Sequence, residues 1–312
     1  MNNTYTKYDI EAVPFDIIID DTLHNLLTGE KIDPPNKSLL SILNDYESGT
    51  WRLEKFEEFI FNSMMETALS AKEKESLVGN PYSLLSKSAK NLRLIDGENA
   101  GGEIGEILLY GVMKKYYSAL PVVPKIFYKQ NTKDYAKGAD SIHIVLEDDN
   151  DFSLWFGEAK FYNSLENSRL GSIIDSVSNM FDRDKMRKEL NIVTDIKDIE
   201  YFVKDLVLLK KIQKSLSDGV SLDEIKRRLH IPIMLLHECE ITSKYTEYTD
   251  AYKKVIRDIH IDIAKRFIEK QDKKLKELYL YDDIKFHLII FPVPNKKEIV
   301  DRFTTKVKSF RA

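Results

Sequence analysis

The strongest constraint on the fold is a short segment, FSLWFGEAKFY at residues 152–162, which is apolar on two sides and also carries two charges. Its aromatic and apolar residues predict a β-strand, and alternate side chains of a strand share one face. Apolar residues on both faces are typical of a strand inside a sheet, yet Glu158 and Lys160 interrupt the face that carries Phe156. Because an unpaired buried charge is costly, these two side chains must pair, reach solvent at the strand end or hold a metal.

A third charged residue, Asp140, begins the preceding predicted strand, GADSIHIVLE at residues 138–147. A hairpin between the two strands would bring Asp140 alongside Glu158 and Lys160. Two carboxylates beside a lysine can bind a hard divalent cation through oxygen. Bound Mg²⁺ lowers the pKa of a water and neutralises charge that develops on a phosphate. The residues alone leave two interpretations open, a structural ion pair and a metal-dependent phosphodiester site.

The acid-x-Lys spacing carries little weight by itself, because it occurs five times in this chain. Only the instance at Glu158 lies inside an apolar strand that follows an aspartate-bearing strand. The context of the motif therefore supports the site more than the motif does.

A fourth candidate, Glu106, lies on the helix predicted over residues 101–117. Glu103 and Glu106 are three residues apart and so are neighbours on one helical face. A glutamate in the first turn interacts favourably with the helix N-terminus, which explains Glu103. Glu106 lies deeper among apolar residues, and we expect it to point at the site.

The order of predicted elements around this hairpin indicates an α/β fold with a mixed sheet. The helix over 101–117 precedes three strands, at 121–129, 138–147 and 152–162. Helices then resume from Ser164, and two more apolar strands follow at 231–240 and 285–293. A long helix over 247–278 separates these last two strands, and a final helix begins at Lys296.

The first 95 residues have a different character, with 10 basic and 15 acidic side chains. A strand is predicted at 10–20, and the DPPN segment at 33–36 interrupts regular structure because proline disrupts helix interiors. Helices are predicted at 37–47, 50–71 and 81–93. We therefore expect an acidic, mostly helical N-terminal lobe at 1–95 and an α/β domain at 96–312.

The composition is that of a globular protein: 43% of the 312 residues are hydrophobic and 31% are charged. Cys239 is the one cysteine, so no internal disulfide can form. No apolar run approaches the length of a membrane helix, and the N-terminal residues are polar. These features predict a soluble, cytoplasmic protein without a membrane partner.

A net charge of −4 gives no general reason to expect nucleic-acid binding. Basic residues nevertheless cluster near the predicted site and could steer DNA toward it, although single lysines are usually only solvated. The candidate DNA-binding residues are Lys125, Lys129, Lys133, Lys137 and Arg169.

The chain resembles the PD-(D/E)xK nuclease superfamily, which has a restriction-endonuclease-like fold. Three short motifs carry this resemblance: GE at 105–106, GAD at 138–140 and GEAK at 157–160. A more specific resemblance is to the nuclease subunit of Hachiman-type anti-phage defence systems. It is carried by the longer segments that contain these motifs, GEIGEILLYGVM, GADSIHI and LWFGEAKFYNS. The resemblance is strongest over residues 98–185. It implies a Mg²⁺-dependent or Mn²⁺-dependent DNA endonuclease that acts with a superfamily-two helicase, which restrains or delivers it.

The resemblance also implies a role for each candidate residue. Asp140 and Glu158 would be metal ligands, Lys160 the catalytic lysine, and Glu106 an acid on the helix that joins the metal site. The chain departs from the pattern at Ala139, where the superfamily has proline. Two alternatives to an active nuclease stay open: a catalytically lapsed nuclease fold that binds and regulates the helicase, and a structural ion pair in an unrelated α/β domain.

Overall fold

The computed structural model describes residues 12–29, 36–95, 101–123, 126, 139–147, 150–195, 198–217 and 219–312. The strands are β1 (Asp16–Thr22), β2 (Lys37–Leu43), β3 (Tyr46–Glu47), β4 (Thr50–Trp51), β5 (Leu120–Val123), β6 (Ser141–Glu147), β7 (Asp151–Tyr162), β8 (Leu229–Glu238) and β9 (Lys285–Val293). The helices are α1 (Leu23–Thr28), α2 (Leu53–Thr67), α3 (Ala71–Ser76), α4 (Pro81–Asn91), α5 (Gly102–Lys115), α6 (Asn167–Met180), α7 (Arg183–Asp195), α8 (Asp198–Phe202), α9 (Leu206–Ser215), α10 (Leu222–Lys226), α11 (Glu240–Lys244), α12 (Asp250–Leu275) and α13 (Lys296–Arg311).

Seven of these strands form one mixed sheet in the order β1, β2, β9, β8, β7, β6, β5. The four strands β2, β9, β8 and β7 are parallel to one another. At the two edges of this parallel group, β1 pairs antiparallel with β2, and β6 pairs antiparallel with β7 and with β5. The fold is therefore α/β with a mixed sheet, as predicted. The strands expected near 138–147, 152–162, 231–240 and 285–293 are confirmed as β6 to β9.

Helices cover both faces of the sheet, which explains why its central strands are apolar on both sides. On one face, residues of α2, α5 and α13 pack with Trp155, Ala159 and Phe161. On the other face, residues of α6 and α12 pack with Leu154 and Phe156. The faces of β7 thus alternate as the pattern of residues 152–162 predicts.

The helix predicted over 37–47 is wrong, because residues Lys37–Leu43 form β2, parallel to β9. Residues 39–43 are all buried, since both faces of this strand are covered. A short, continuous apolar run looks the same in a buried strand and in a buried helix, so periodicity alone misassigned it.

Residues on both sides of the predicted division near 95 contribute to the same sheet, because β1 and β2 extend it beyond β9. Helix α2 also contacts α5, and α4 contacts α13. Arg302 of α13 donates two hydrogen bonds to the Glu57 carboxylate of α2, at 2.9 and 3.0 Å. These contacts tie the N-terminal helices to the C-terminal helix. Among the described residues, no helix combines the length and apolar character needed to cross a membrane.

Candidate active site

The β6–β7 hairpin places Asp140 beside the middle of β7. Ser141 pairs with Gly157 and Ile142 with Phe156, and the Asp140 backbone N–H donates to the Gly157 carbonyl at 2.7 Å. The Ala159 N–H donates to Oδ2 of Asp140 at 3.1 Å. Backbone groups of β7 therefore hold the Asp140 carboxylate in place.

Lys160 lies between the two carboxylates that the sequence singles out. Its Nζ donates a hydrogen bond to Oε1 of Glu158 and lies 3.7 Å from Oδ2 of Asp140. The Glu158 side chain is 3% exposed, whereas those of Lys160 and Asp140 are 29% and 19% exposed. The group is thus buried at Glu158 and open to solvent on the side of Lys160 and Asp140.

A second donor reaches Glu158 from the helix that follows β7. The Ser176 hydroxyl, on α6, donates to Oε1 of Glu158 at 2.6 Å. Glu158 is therefore held by its own strand through Lys160 and by the covering helix through Ser176.

The electrostatics of the group favour an added positive charge. Burial and the neighbouring Asp140 carboxylate raise the pKa of Glu158. Burial lowers the pKa of Lys160, but Asp140 and Glu158 outweigh it and raise that pKa overall. With both carboxyls ionised, two negative charges face one ammonium, so a cation beside them is stabilised.

The carboxylate pair also has the chemistry that Mg²⁺ or Mn²⁺ requires. Mg²⁺ usually binds through one or two carboxylates and keeps several waters, so Asp140 and Glu158 are sufficient as protein ligands. Among the described residues, no three histidine, cysteine, aspartate or glutamate side chains come together as a metal-binding group. The residues present thus fit a site with two protein carboxylates.

The HamA family model matches residues 16–307 of the chain, a span that includes the whole sheet and the candidate site. The chain belongs to the HamA family. No curated protein matches it. Membership associates the chain with Hachiman anti-phage defence.

In this HamA-family chain, Glu106 lies on α5 and is half-buried. Helix α5 packs on the sheet face that carries Ala159 and Phe161, and these residues alternate along β7 with Glu158 and Lys160. The structure thus places the helix of Glu106 across the sheet from the carboxylate pair, and its part in the metal site stays a prediction.

The basic candidates divide into two groups. The predicted DNA-binding residues Lys125, Lys129, Lys133 and Lys137 lie outside the described residues. Arg169, on α6, places its guanidinium 5.1 Å from the centre of the Tyr162 ring. Tyr162 follows Lys160 by two residues and so shares its face of β7, which puts Arg169 on the same side of the sheet as the candidate site.

Ser176 is the residue that sequence reasoning missed. Of the residues in this helix, the sequence pointed only to Arg169 as a candidate. The signal that was available is a small polar residue at 176 between buried Ile173 and Val177, at the edge of the apolar stripe of α6. Such a position faces the sheet, where a hydroxyl needs a polar partner.

Proposed function

We propose that this chain is a divalent-metal-dependent DNA endonuclease, the nuclease subunit of a Hachiman-type defence complex that acts with a helicase. The observation that carries the proposal is the Lys160 ammonium held between the Asp140 and Glu158 carboxylates on the β6–β7 hairpin. Membership of the HamA family supports the defence role.

Asp140 and Glu158 would hold Mg²⁺ or Mn²⁺ through their oxygens. The metal would supply a water of lowered pKa and neutralise charge on the scissile phosphate. Lys160, an ammonium at neutral pH, is partly exposed, so it can orient a phosphate oxygen and stabilise developing negative charge. Its partial exposure leaves a path for a phosphate to reach it.

Three parts of the proposal rest on different grounds. The order of α5, the β5–β6–β7 meander, α6 and then β8 parallel to β7 supports a restriction-endonuclease-like core. The helicase partner rests on family membership and on the sequence resemblance. DNA as the substrate rests on that resemblance together with the phosphodiester chemistry that a metal at two carboxylates performs.

The test is cleavage of supercoiled plasmid with Mg²⁺ or Mn²⁺, for the chain alone and with the helicase subunit of its own defence system. We expect metal-dependent nicking or degradation that Glu158→Ala and Lys160→Ala each reduce by at least about 100-fold, the scale on which removal of an electrostatic catalytic group acts.

Lys226→Ala is the matched control for Lys160→Ala. Lys226 is a partly buried lysine that also pairs with a carboxylate, Asp223 at 3.3 Å. It lies just before the first residue of β8, Leu229, whereas Lys160 lies beside Leu235 toward the other end of that strand. We expect this variant to cut DNA like the wild type. Cleavage that survives in Glu158→Ala, or no cleavage in the presence of the helicase and a DNA substrate, contradicts the nuclease assignment.

A further inference from the structure

The Ser176 hydroxyl is carried by a well-packed helix. Leu170, Ile173, Ile174 and Val177 of α6 are buried and pack against the sheet face that carries Glu158. The oxygen of a serine moves with a single side-chain torsion angle, so its position follows that of the helix. The 2.6 Å hydrogen bond from Ser176 therefore fixes Oε1 of Glu158 to a rigid element.

Both donors to the Glu158 carboxylate act on the same oxygen. Lys160 and Ser176 both donate to Oε1, and in the part of the chain that the structure describes no donor reaches Oε2. Lys160 approaches from a long side chain with four torsion angles, and part of it is exposed to solvent. Ser176 is thus the more rigid of the two donors.

We infer that Ser176 is a positioning residue, which fixes Oε1 of Glu158 and so directs Oε2 toward a divalent cation shared with Asp140. This inference rests on the proposed metal-dependent function. Partners that hydrogen-bond to a metal-ligating carboxylate orient it, and their loss typically weakens metal affinity or activity by about 10- to 100-fold.

The test is a Mn²⁺ titration of the full chain, in which electron paramagnetic resonance measures the free Mn²⁺. This readout reports metal binding directly and needs neither DNA nor the helicase. We expect Ser176→Ala to raise the Mn²⁺ dissociation constant by about 10-fold or more. Ser176→Thr, which keeps a hydroxyl, should restore most of the affinity.

Ser172→Ala is the matched control. Ser172 lies one turn earlier on α6, is exposed, and donates to the Ser168 carbonyl at 3.2 Å. Its replacement changes the helix in the same way as Ser176→Ala but leaves Glu158 untouched, so we expect wild-type affinity.

The outcomes separate the inference from the proposed function. If the wild type shows no saturable Mn²⁺ binding, the metal-dependent function fails and the inference fails with it. If the wild type binds Mn²⁺ and Ser176→Ala binds it equally well, only the positioning role is overturned. A loss of affinity that Ser172→Ala shares, or that Ser176→Thr does not reverse, also overturns that role.

Discussion

Glu57 and Glu158 are both almost fully buried but lie in opposite electrostatic surroundings. The Glu57 carboxylate forms ion pairs with two cations, Arg302 at 2.9 Å and Lys306 at 2.8 Å. Burial raises its pKa, but hydrogen bonds and charge from these cations outweigh burial and lower the pKa overall. Glu158 shares one lysine with a second carboxylate, and burial together with Asp140 raises its pKa. The surroundings of Glu57 favour stability, whereas those of Glu158 are typical of a site shaped for function.

We therefore predict opposite effects on stability for two chemically identical changes. A raised pKa means that the folded state holds the Glu158 proton more tightly than the unfolded state, so ionisation near pH 7 opposes folding. Glu158→Gln removes that cost, and we expect unchanged or higher stability together with loss of metal binding. Glu57→Gln removes charged hydrogen-bond partners of Arg302 and Lys306 and should lower the free energy of unfolding by about 1.5–3 kcal/mol.

Urea unfolding at pH 7 measures both changes. A loss of several kcal/mol in Glu158→Gln would instead favour the alternative that Glu158 and Lys160 form a structural ion pair.

At the scale of elements, two helical glycines stand in contrasting surroundings. Gly111 lies in α5 where this helix meets α2, and an added Cβ would lie 2.7 Å from ring carbons of Phe59 and also contact the Ser63 hydroxyl. Gly171 lies in α6, where an added Cβ would meet nothing within 4 Å. The close approach of α2 and α5 thus depends on the missing side chain at 111.

We predict that Gly111→Ala destabilises the protein by about 1–3 kcal/mol, because the overpacked α2–α5 contact must shift. The matched change Gly171→Ala should stabilise it by about 0.4–1 kcal/mol, because alanine restricts the unfolded chain and is accommodated in the helix. Urea midpoints compare the two variants. Equal effects would show that α2 and α5 rearrange without cost.

Element types were predictable wherever a local pattern reports burial on both sides. The apolar runs of β7, β8 and β9 indicate interior strands, and the polar 250–275 helix is evident from its length and composition. The pattern failed at β2, where Leu39, Leu40 and Ile42 are buried because distant parts of the chain cover both faces of this strand. Contacts with segments that are distant in the sequence leave no periodic pattern in residues 37–43 themselves.

At the scale of the whole molecule, histidines are built into the core as neutral rings. His143, His230, His237 and His260 are buried, and His287 is half-buried. Nδ1 of His230 lies 2.9 Å from Nε2 of His287. The two Nε2 atoms of His237 and His260 are 3.5 Å apart. Each pair needs one ring to accept a hydrogen bond, which a protonated ring cannot do.

Burial lowers the pKa of each of these rings. It lowers the pKa of His237 to about 4 and that of His143 to about 3. Burial and a nearby positive lysine lower the pKa of His287 to about 3, and burial with the neighbouring His287 lowers that of His230 to about 2. The pKa of His260 is also lowered by burial.

We predict that stability falls as the pH drops below about 6.5, where histidines of the unfolded chain begin to take up protons. The folded rings remain neutral until about pH 4, so the unfolded state binds more protons throughout this window and is favoured. Each histidine contributes a slope of up to about 1.4 kcal/mol per pH unit. Urea unfolding between about pH 7.5 and pH 5 measures the slope, in a range where most carboxylates are still ionised.

His143→Leu isolates one ring, because His143 contacts the Tyr110 ring and, among the described residues, its Nε2 has no hydrogen-bond partner. We expect this variant to reduce the dependence of the free energy of unfolding on pH by the contribution of one histidine, up to about 1.4 kcal/mol per pH unit. A stability that does not change between about pH 6.5 and pH 5 would contradict neutral burial of the histidines.

The sequence by itself determined the α/β class, most of the strands, and the meeting of Asp140, Glu158 and Lys160, because a hairpin joins residues that are close along the chain. Only the tertiary structure decided the position of β2 beside β9, the hydrogen bond from Ser176 to Glu158, and the contact of Glu57 with Arg302, which are 245 residues apart. The physical reason is that a local pattern records how much of a side chain is buried, whereas packing between distant elements selects the partner that buries it.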